Sequence, residues 1–210
     1  NNDNYRWNGG FQGESNDADV DRLRHKMIRN AAPVLFTSIG LPMILAGDEF
    51  GNTQYGNNNP YCQDNDISWL DWTLLEKNKD LFQFFQRMIA FRKAHPVLRK
   101  LSTGTPEGYP PISLHGVNAW QFDHSPENRV IGVLFAGKKA SGETDFVYIA
   151  VNAHWEPHDI WLPELPVGMQ WSIVADTERE VQAFLSVPEP LCARQPFRLA
   201  ARSVLLCEGR

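Results

Sequence analysis

Apolar residues along this chain keep two different rhythms, and the change comes near position 100. Residues 17 to 30 begin with Asp17, Asp19 and Asp21 and continue with Arg22, Arg24, Lys26 and Arg29. Acids first and bases later suit a helix macrodipole, so a helix is predicted there. Pro33 is expected to kink or break it; apolar spacing resumes at Val34, Leu35 and Phe36, and Gly40 stops the run. Pro42 to Ala46 is short and apolar without polar alternation, the pattern of a strand buried on both faces of a parallel sheet. After an Asn- and Gly-rich loop, Asp80 is placed to cap a second helix. Its Leu81, Phe84, Phe85, Met88 and Ile89 follow the i, i+3, i+4, i+7, i+8 spacing, and His95-Pro96 ends it.

From about Leu101 the runs become short and alternating: Val117 to Phe122, Val130 to Phe135, Phe146 to Asn152, Ile160 to Leu162, Trp171 to Val174 and Ser203 to Cys207. Gly, Pro, Asn and Asp separate them, which predicts an antiparallel β-sandwich of roughly 100 residues. The first half has a deficit. One parallel strand with two helices leaves ladder groups unpaired on both sides, so its sheet needs neighbours from elsewhere. An upstream part of the same polypeptide is the expected partner, with a barrel as the architecture and its last α/β units in residues 1 to 100. The exposed face of Met43 to Leu45 is then expected to make the isolated chain marginally stable. The fold class expected is therefore α/β plus all-β: the C-terminal remnant of a (β/α)8 TIM barrel at 1–100, then an antiparallel β-sandwich domain at 101–210.

Composition narrows the functions. With 42% hydrophobic and 11% aromatic residues the chain can bury a core, and its formal net charge of −5 supplies no clustered cations for phosphate backbones or anionic lipid. Nucleic acid and membrane surfaces are not expected partners. No apolar run reaches the roughly 18 residues of a membrane span. Cys62, Cys192 and Cys207 are odd in number and widely spaced, and read as free thiols in a reducing, cytoplasmic compartment. The chain opens Asn-Asn-Asp-Asn without Met or a leader, from which it is expected to be cut from a longer protein or processed.

The densest chemistry lies directly after the predicted strand, from Gly47 to Asn65, where amides and carboxylates alternate with aromatic rings. Hydroxyl-rich ligands suit that mixture: amides and carboxylates exchange hydrogen bonds with sugar hydroxyls, and ring faces cover sugar C–H faces. The plain alternative is a polar loop whose Asn and Gly residues serve positive φ angles. The run from Gly40 through Trp72 resembles the eighth barrel strand and following loop of glycogen-debranching enzymes and isoamylases, within the α-amylase superfamily. Trp7-Asn8 and Gly10 resemble the family's S-W-N-C-G loop; Arg22, Arg24, Arg29 and Asn30 resemble its next helix; Phe91-Arg92-Lys93 with His95-Pro96 resembles the end of its eighth helix. His115-Gly116 and the run Val151 to Pro157 resemble landmarks of its C-terminal β-domain. Gly9, Phe11 and Gln12 depart from the family's usual Cys, Val and Glu.

The resemblance implies a retaining glycosidase cleaving α-1,6 branch linkages, with a nucleophile and an acid roughly 5 to 5.5 Å apart. Those carboxylates follow barrel strands four, five and seven in relatives and are expected before Asn1, leaving no catalytic residue, metal site or cofactor in this chain and an inactive fragment. Asp48 and Glu49, adjacent on a strand, would face opposite ways and are expected to anchor the loop by hydrogen bonds; Asp64 and Asp66 have no apolar pocket to keep one protonated. The implied substrate-binding wall is Gln54, Asn57, Asn58, Asn59, Tyr61 and Asp64, and the implied partners are a branched α-glucan (glycogen or a limit dextrin) and the upstream barrel. Trp69 and Trp72 are expected to pack the loop rather than to platform sugar, and Trp155 and Trp161 to be sandwich core rather than a surface sugar site. His95 reads as a helix-terminal residue favoured by the dipole. A non-catalytic glucan-binding module is the alternative function; a branching enzyme fits the Asn-rich loop less well.

Overall fold

Asp17 starts the first helix by accepting the Asp19 N–H on its carboxylate at 2.9 Å. That helix, α1 (Ala18–Thr37), belongs to a computed structural model describing residues 7–11, 13–100 and 108–210, so Gln12 and the start of the second segment, at 101–107, lie outside the described residues. Pro33 does not break α1. Ala32, Pro33 and Phe36 are all buried, and that packing keeps the segment helical across the proline. A 3-10 turn (Asp48–Phe50), a short α2 (Thr73–Lys77) and α3 (Lys79–Ala94) follow. Asn78, not Asp80, occupies the cap position of α3; Asp80 sits in the first turn. The buried face runs Leu81, Phe84, Phe85, Met88 and then Phe91, while Ile89 is 37% exposed, because the stripe drifts with the 3.6-residue period.

The strand expected at Pro42 to Ala46 carries no ladder. Among the described residues its backbone has no neighbouring strand to pair with, yet its side chains alternate: Ile44 packs on the core, whereas Leu41, Met43 and Leu45 are 99%, 87% and 63% exposed.

Beyond residue 108 the strands are β1 (Ile112–His115), β2 (Val130–Lys138), β3 (Thr144–Asn152), β4 (His158–Ile160), β5 (Trp171–Asp176), β6 (Phe184–Leu191), β7 (Phe197–Leu199) and β8 (Ser203–Gly209). Six form one antiparallel sheet in the order β1-β2-β3-β8-β5-β6, and β4 pairs with β7 in a two-stranded ribbon. β6 contains Pro188 and Pro190 and lies at an edge, where missing N–H donors are tolerated. Residues 117–122 are a turn with one isolated Asn118–Gln121 bridge instead of the expected strand.

Both sheet faces are buried, by different covers. Phe146, Tyr148 and Ala150 of β3, with Leu205 and Cys207 of β8, meet Ile160 and Leu199 of the ribbon. Val147 and Ile149, with Val204 and Leu206, meet Phe36 of α1 and Phe84, Phe85, Met88 and Phe91 of α3. The sandwich expected from the alternation is thus half realised: the second layer on one face is helical. A bulge at Ile173/Ala175 turns consecutive Val174 and Ala175 to that helical face.

Candidate functional site

The loop after the unpaired segment is fastened at its base. Gly47 has φ +100°, and a Cβ there would lie 2.6 Å from the Asn52 Cβ, so only glycine fits. The Leu45 N–H donates to Asp48 Oδ2 at 3.1 Å and the Gly47 N–H to Glu49 Oε2 at 2.9 Å, the anchoring role expected of this pair, although on a 3-10 turn rather than a strand. Burial pushes the Asp48 carboxyl pKa up, against the lowering effect of the Leu45 bond. Phe50 is buried with its carbonyl accepting from Asn78 Nδ2 at 2.9 Å, and the Asp71 N–H donates to Asn52 Oδ1 at 2.9 Å, which ties the far end of the loop to its start.

On that base the six predicted wall residues divide by what their side chains do. Asn57 Oδ1 accepts from the Asn59 N–H at 2.9 Å, Asn59 Oδ1 from the Tyr61 N–H at 3.3 Å, and Asp64 Oδ1 from the Trp69 indole at 2.9 Å. These three shape the loop. Gln54 contributes its carbonyl to the Asn57 N–H at 2.9 Å. The side chains of Gln54, Asn58 and Tyr61 make no hydrogen bond among the described residues, and the Tyr61 ring is 81% exposed. Tyr55 and Cys62 hold positive φ angles of 52° and 59°, so the loop carries local backbone strain at two non-glycine positions. Trp72 lies against Phe50 with ring centroids 5.6 Å apart, yet Trp69 and Trp72 remain 55% and 65% exposed. They pack one edge and offer the other.

Several residues with large structural roles escaped the sequence reading. Arg92 reaches the carbonyls of Phe36 (2.7 Å), Ser38 (2.9 Å), Leu98 (2.9 Å) and Gly40 (2.6 Å), so a buried guanidinium closes the C-terminal end of α1. His95 is no ordinary helix terminus: it is 4% exposed, with Nδ1 2.6 Å from Asp145 and Nε2 3.4 Å from Glu208. Burial opposes its charge, but the two carboxylates outweigh burial and hold its pKa above the usual imidazole value. Asn30 Nδ2 donates to the Arg202 carbonyl at 2.8 Å, and Asn152 Nδ2 to those of Glu156 and Ala200 at 2.8 and 2.9 Å. The resemblance names Asn30, Arg92, His95 and Asn152, and of these only His95 has an expected role, as a helix terminus; the signal for the others is a polar residue inside an apolar stripe or strand. Arg24 gathers the carbonyls of Asn8, Phe11 and Gly13, shaping the segment that holds Trp7. Cys62 and Cys192 are exposed and Cys207 is buried, all free. Among the described residues no group of three or more His, Cys, Asp or Glu could hold a metal, and no helix is long and apolar enough to cross a membrane.

No family model matches the chain. It is 34% identical over 223 residues to a glycogen operon protein GlgX homolog of Mycobacterium tuberculosis, covering 97% of this chain and 30% of that protein. It is 34% identical over 211 residues to chloroplastic isoamylase 3 of Oryza sativa subsp. japonica, covering 100% of this chain and 26% of that protein. In structure it is similar to the pullulanase of Bacillus acidopullulyticus, with a TM-score of 0.66, 21% identity and coverage of 92% of this chain and 21% of the pullulanase. A pullulanase of Anoxybacillus sp. complexed with maltotetraose gives a TM-score of 0.63 at 15% identity, over 91% of this chain and 24% of that one. The chain thus spans less than a third of the length of these relatives.

Proposed function

We propose, from the premise that this chain belongs to the isoamylase-type glycogen- and starch-debranching family of the α-amylase superfamily, that it is the C-terminal portion of an α-1,6-glucosidase. Residues up to about 100 are the closing α/β units of a (β/α)8 barrel, and the six-stranded sheet and its ribbon form the C-terminal β-domain. The catalytic carboxylates belong to the upstream barrel of the same polypeptide, so the 210-residue chain alone is inactive. The bare row Leu41, Met43 and Leu45 is the barrel-facing side of the eighth strand, which gains its ladder partners only in the parent.

The loop from Gln54 to Asp64 supplies one wall of the substrate cleft. The observation that carries this reading is the division of labour within it. Asn57, Asn59 and Asp64 fix the loop's shape, while the side chains of Asn58 and Tyr61 are exposed and make no hydrogen bond among the described residues. Pre-formed loops that leave an amide and an aromatic ring unsatisfied suit a branched glucose unit, taking its hydroxyls on one and its C–H face on the other. The ligand class is a branched α-glucan such as glycogen or a limit dextrin, and the compartment a reducing cytoplasm.

The test is made in the full-length enzyme. Changing Asn58 and Tyr61 together to Ala is expected to lower branch cleavage by at least about tenfold, since each lost contact is worth roughly 1 kcal/mol. Wild-type cleavage by that double variant would sink the cleft assignment. Reducing-sugar release from a limit dextrin by the 210-residue chain itself would overturn the placement of the carboxylates.

A further inference from the structure

We infer that the β-domain carries a second α-glucan site, in the groove between Trp120 and Trp161, separate from the loop at 54–64. The groove has a volume of about 540 Å³, within the range of ligand sites, and is lined by Tyr109, Trp120, Trp161, Glu164 and Arg194 among others. The two indoles are 49% and 41% exposed, so core packing does not account for them. The other two tryptophans of the β-domain do not line the groove: Trp171 is buried in the core, and the Trp155 ring lies on His154 with centroids 4.2 Å apart.

The display of Trp120 is built into the backbone. Trp120 has φ +64°, a conformation that bulky residues adopt only where surroundings impose it. The Gly116 N–H donates to the Gln121 carbonyl at 2.7 Å, and a Cβ on Gly116 would meet that oxygen at 2.6 Å, so the turn is tight because residue 116 is glycine. The Trp120 N–H donates to Nδ1 of the buried His115 at 2.8 Å. Nδ1 must therefore be unprotonated, which puts the proton on Nε2, 2.9 Å from Ser113 Oγ. Burial supports that neutral state by pulling the His115 pKa down to about 4. Trp161 is tied beside the same turn, its N–H donating to the Val117 carbonyl at 2.8 Å.

Two tryptophans held by their backbone, with an exposed carboxylate and an exposed guanidinium beside them, are the elements that bind a sugar chain: ring faces take C–H surfaces, and Glu164 and Arg194 exchange hydrogen bonds with hydroxyls. The choice of an α-glucan rests on the proposed function; the location of the site does not.

Titration of the 210-residue chain with maltohexaose, followed by tryptophan fluorescence and calorimetry with cellohexaose as control, tests the inference. Maltohexaose is expected to bind in preference to cellohexaose, with Trp120→Ala weakening it at least about tenfold and Asn58→Ala with Tyr61→Ala leaving this binding in place. Arg194→Ala, at an exposed side chain that disturbs no packing, repeats the test and is expected to weaken binding about threefold or more. Absence of maltohexaose binding, or binding indifferent to both Trp120→Ala and Arg194→Ala, overturns the second site. Loss only in the Asn58 and Tyr61 variant overturns it while leaving the cleft assignment standing. Groove binding that persists beside wild-type cleavage by that variant in the parent supports the second site and fails the cleft reading alone.

Discussion

Four histidines that look alike in sequence are distinguished by their neighbours. His115 is fully buried with only neutral partners, and its folded pKa near 4 lies below the unfolded value of 6.5. The contribution of its neutral form is full above pH 6.5 and is lost as pH falls towards 4, on the order of 3 kcal/mol in all. His95 runs the opposite way, with a folded pKa above 6.5: its contribution is full below 6.5 and fades as pH rises through the folded value. Glu208, pulled below 4.5 by His95 and Arg210 against burial, contributes above 4.5 and loses that as pH falls through its folded pKa. Imidazole NMR titration is expected to show His115 neutral down to about pH 4 and His95 still charged above pH 6.5. His95→Ala leaves the buried Asp145 without its cation and is expected to cost about 3 to 5 kcal/mol in urea denaturation. His154 and His158, with ring nitrogens 3.0 Å apart, bind each other rather than a carboxylate at that distance. None of this was legible from the chain, because Asp145 and Glu208 are 50 and 113 positions from His95 and carry no spacing signal. The loop residues were legible because their chemistry is local: Asn57, Asn59 and Tyr61 speak to each other two positions apart.

Long periodic elements are legible in the sequence, whereas the short runs at Pro42 to Ala46 and Val117 to Phe122 have a strand-like pattern and form no ladder strand among the described residues. α3 was visible in its stripe from Leu81 to Met88, and β3 and β8 in their apolar runs. β6 was hidden by Pro188 and Pro190, which ordinarily argue against a strand and are tolerated here at a sheet edge. β1 and β7 span only four and three residues, too short to set a period. The break expected at Pro33 was overruled by burial and by Arg92 at the end of α1. Arg92→Lys keeps a charge but loses the fork that spans four carbonyls, and chemical denaturation is expected to show a loss of about 2 kcal/mol or more. Asn152→Ala deletes the two donors that hold residues 156 and 200 together beside β3, with an expected loss of about 1 to 3 kcal/mol by the same measurement.

For the whole molecule, Leu41, Met43 and Leu45 form an exposed apolar row, 99%, 87% and 63% exposed, on backbone that has no ladder partner among the described residues. Such a face promotes association. Replacing all three with Ser is expected to reduce hydrophobic-dye binding and to shift sedimentation towards monomer while leaving the melting temperature within about 2 °C, since their side chains are largely exposed. A cooperative, monomeric melt of the unchanged chain with no dye binding would count against this. The other side of the helical segment behaves differently. Phe36, Phe84, Phe85, Met88 and Phe91 fill the same core as Val147, Ile149, Val204 and Leu206, and His95, Lys26, Asn30 and Arg87 add polar ties across it. Anyone grafting the eight strands onto another scaffold would therefore inherit a naked sheet face if the gene were cut near position 100. The transferable unit begins at Asp17, and the helices that look like the tail of one module are the lid of the next.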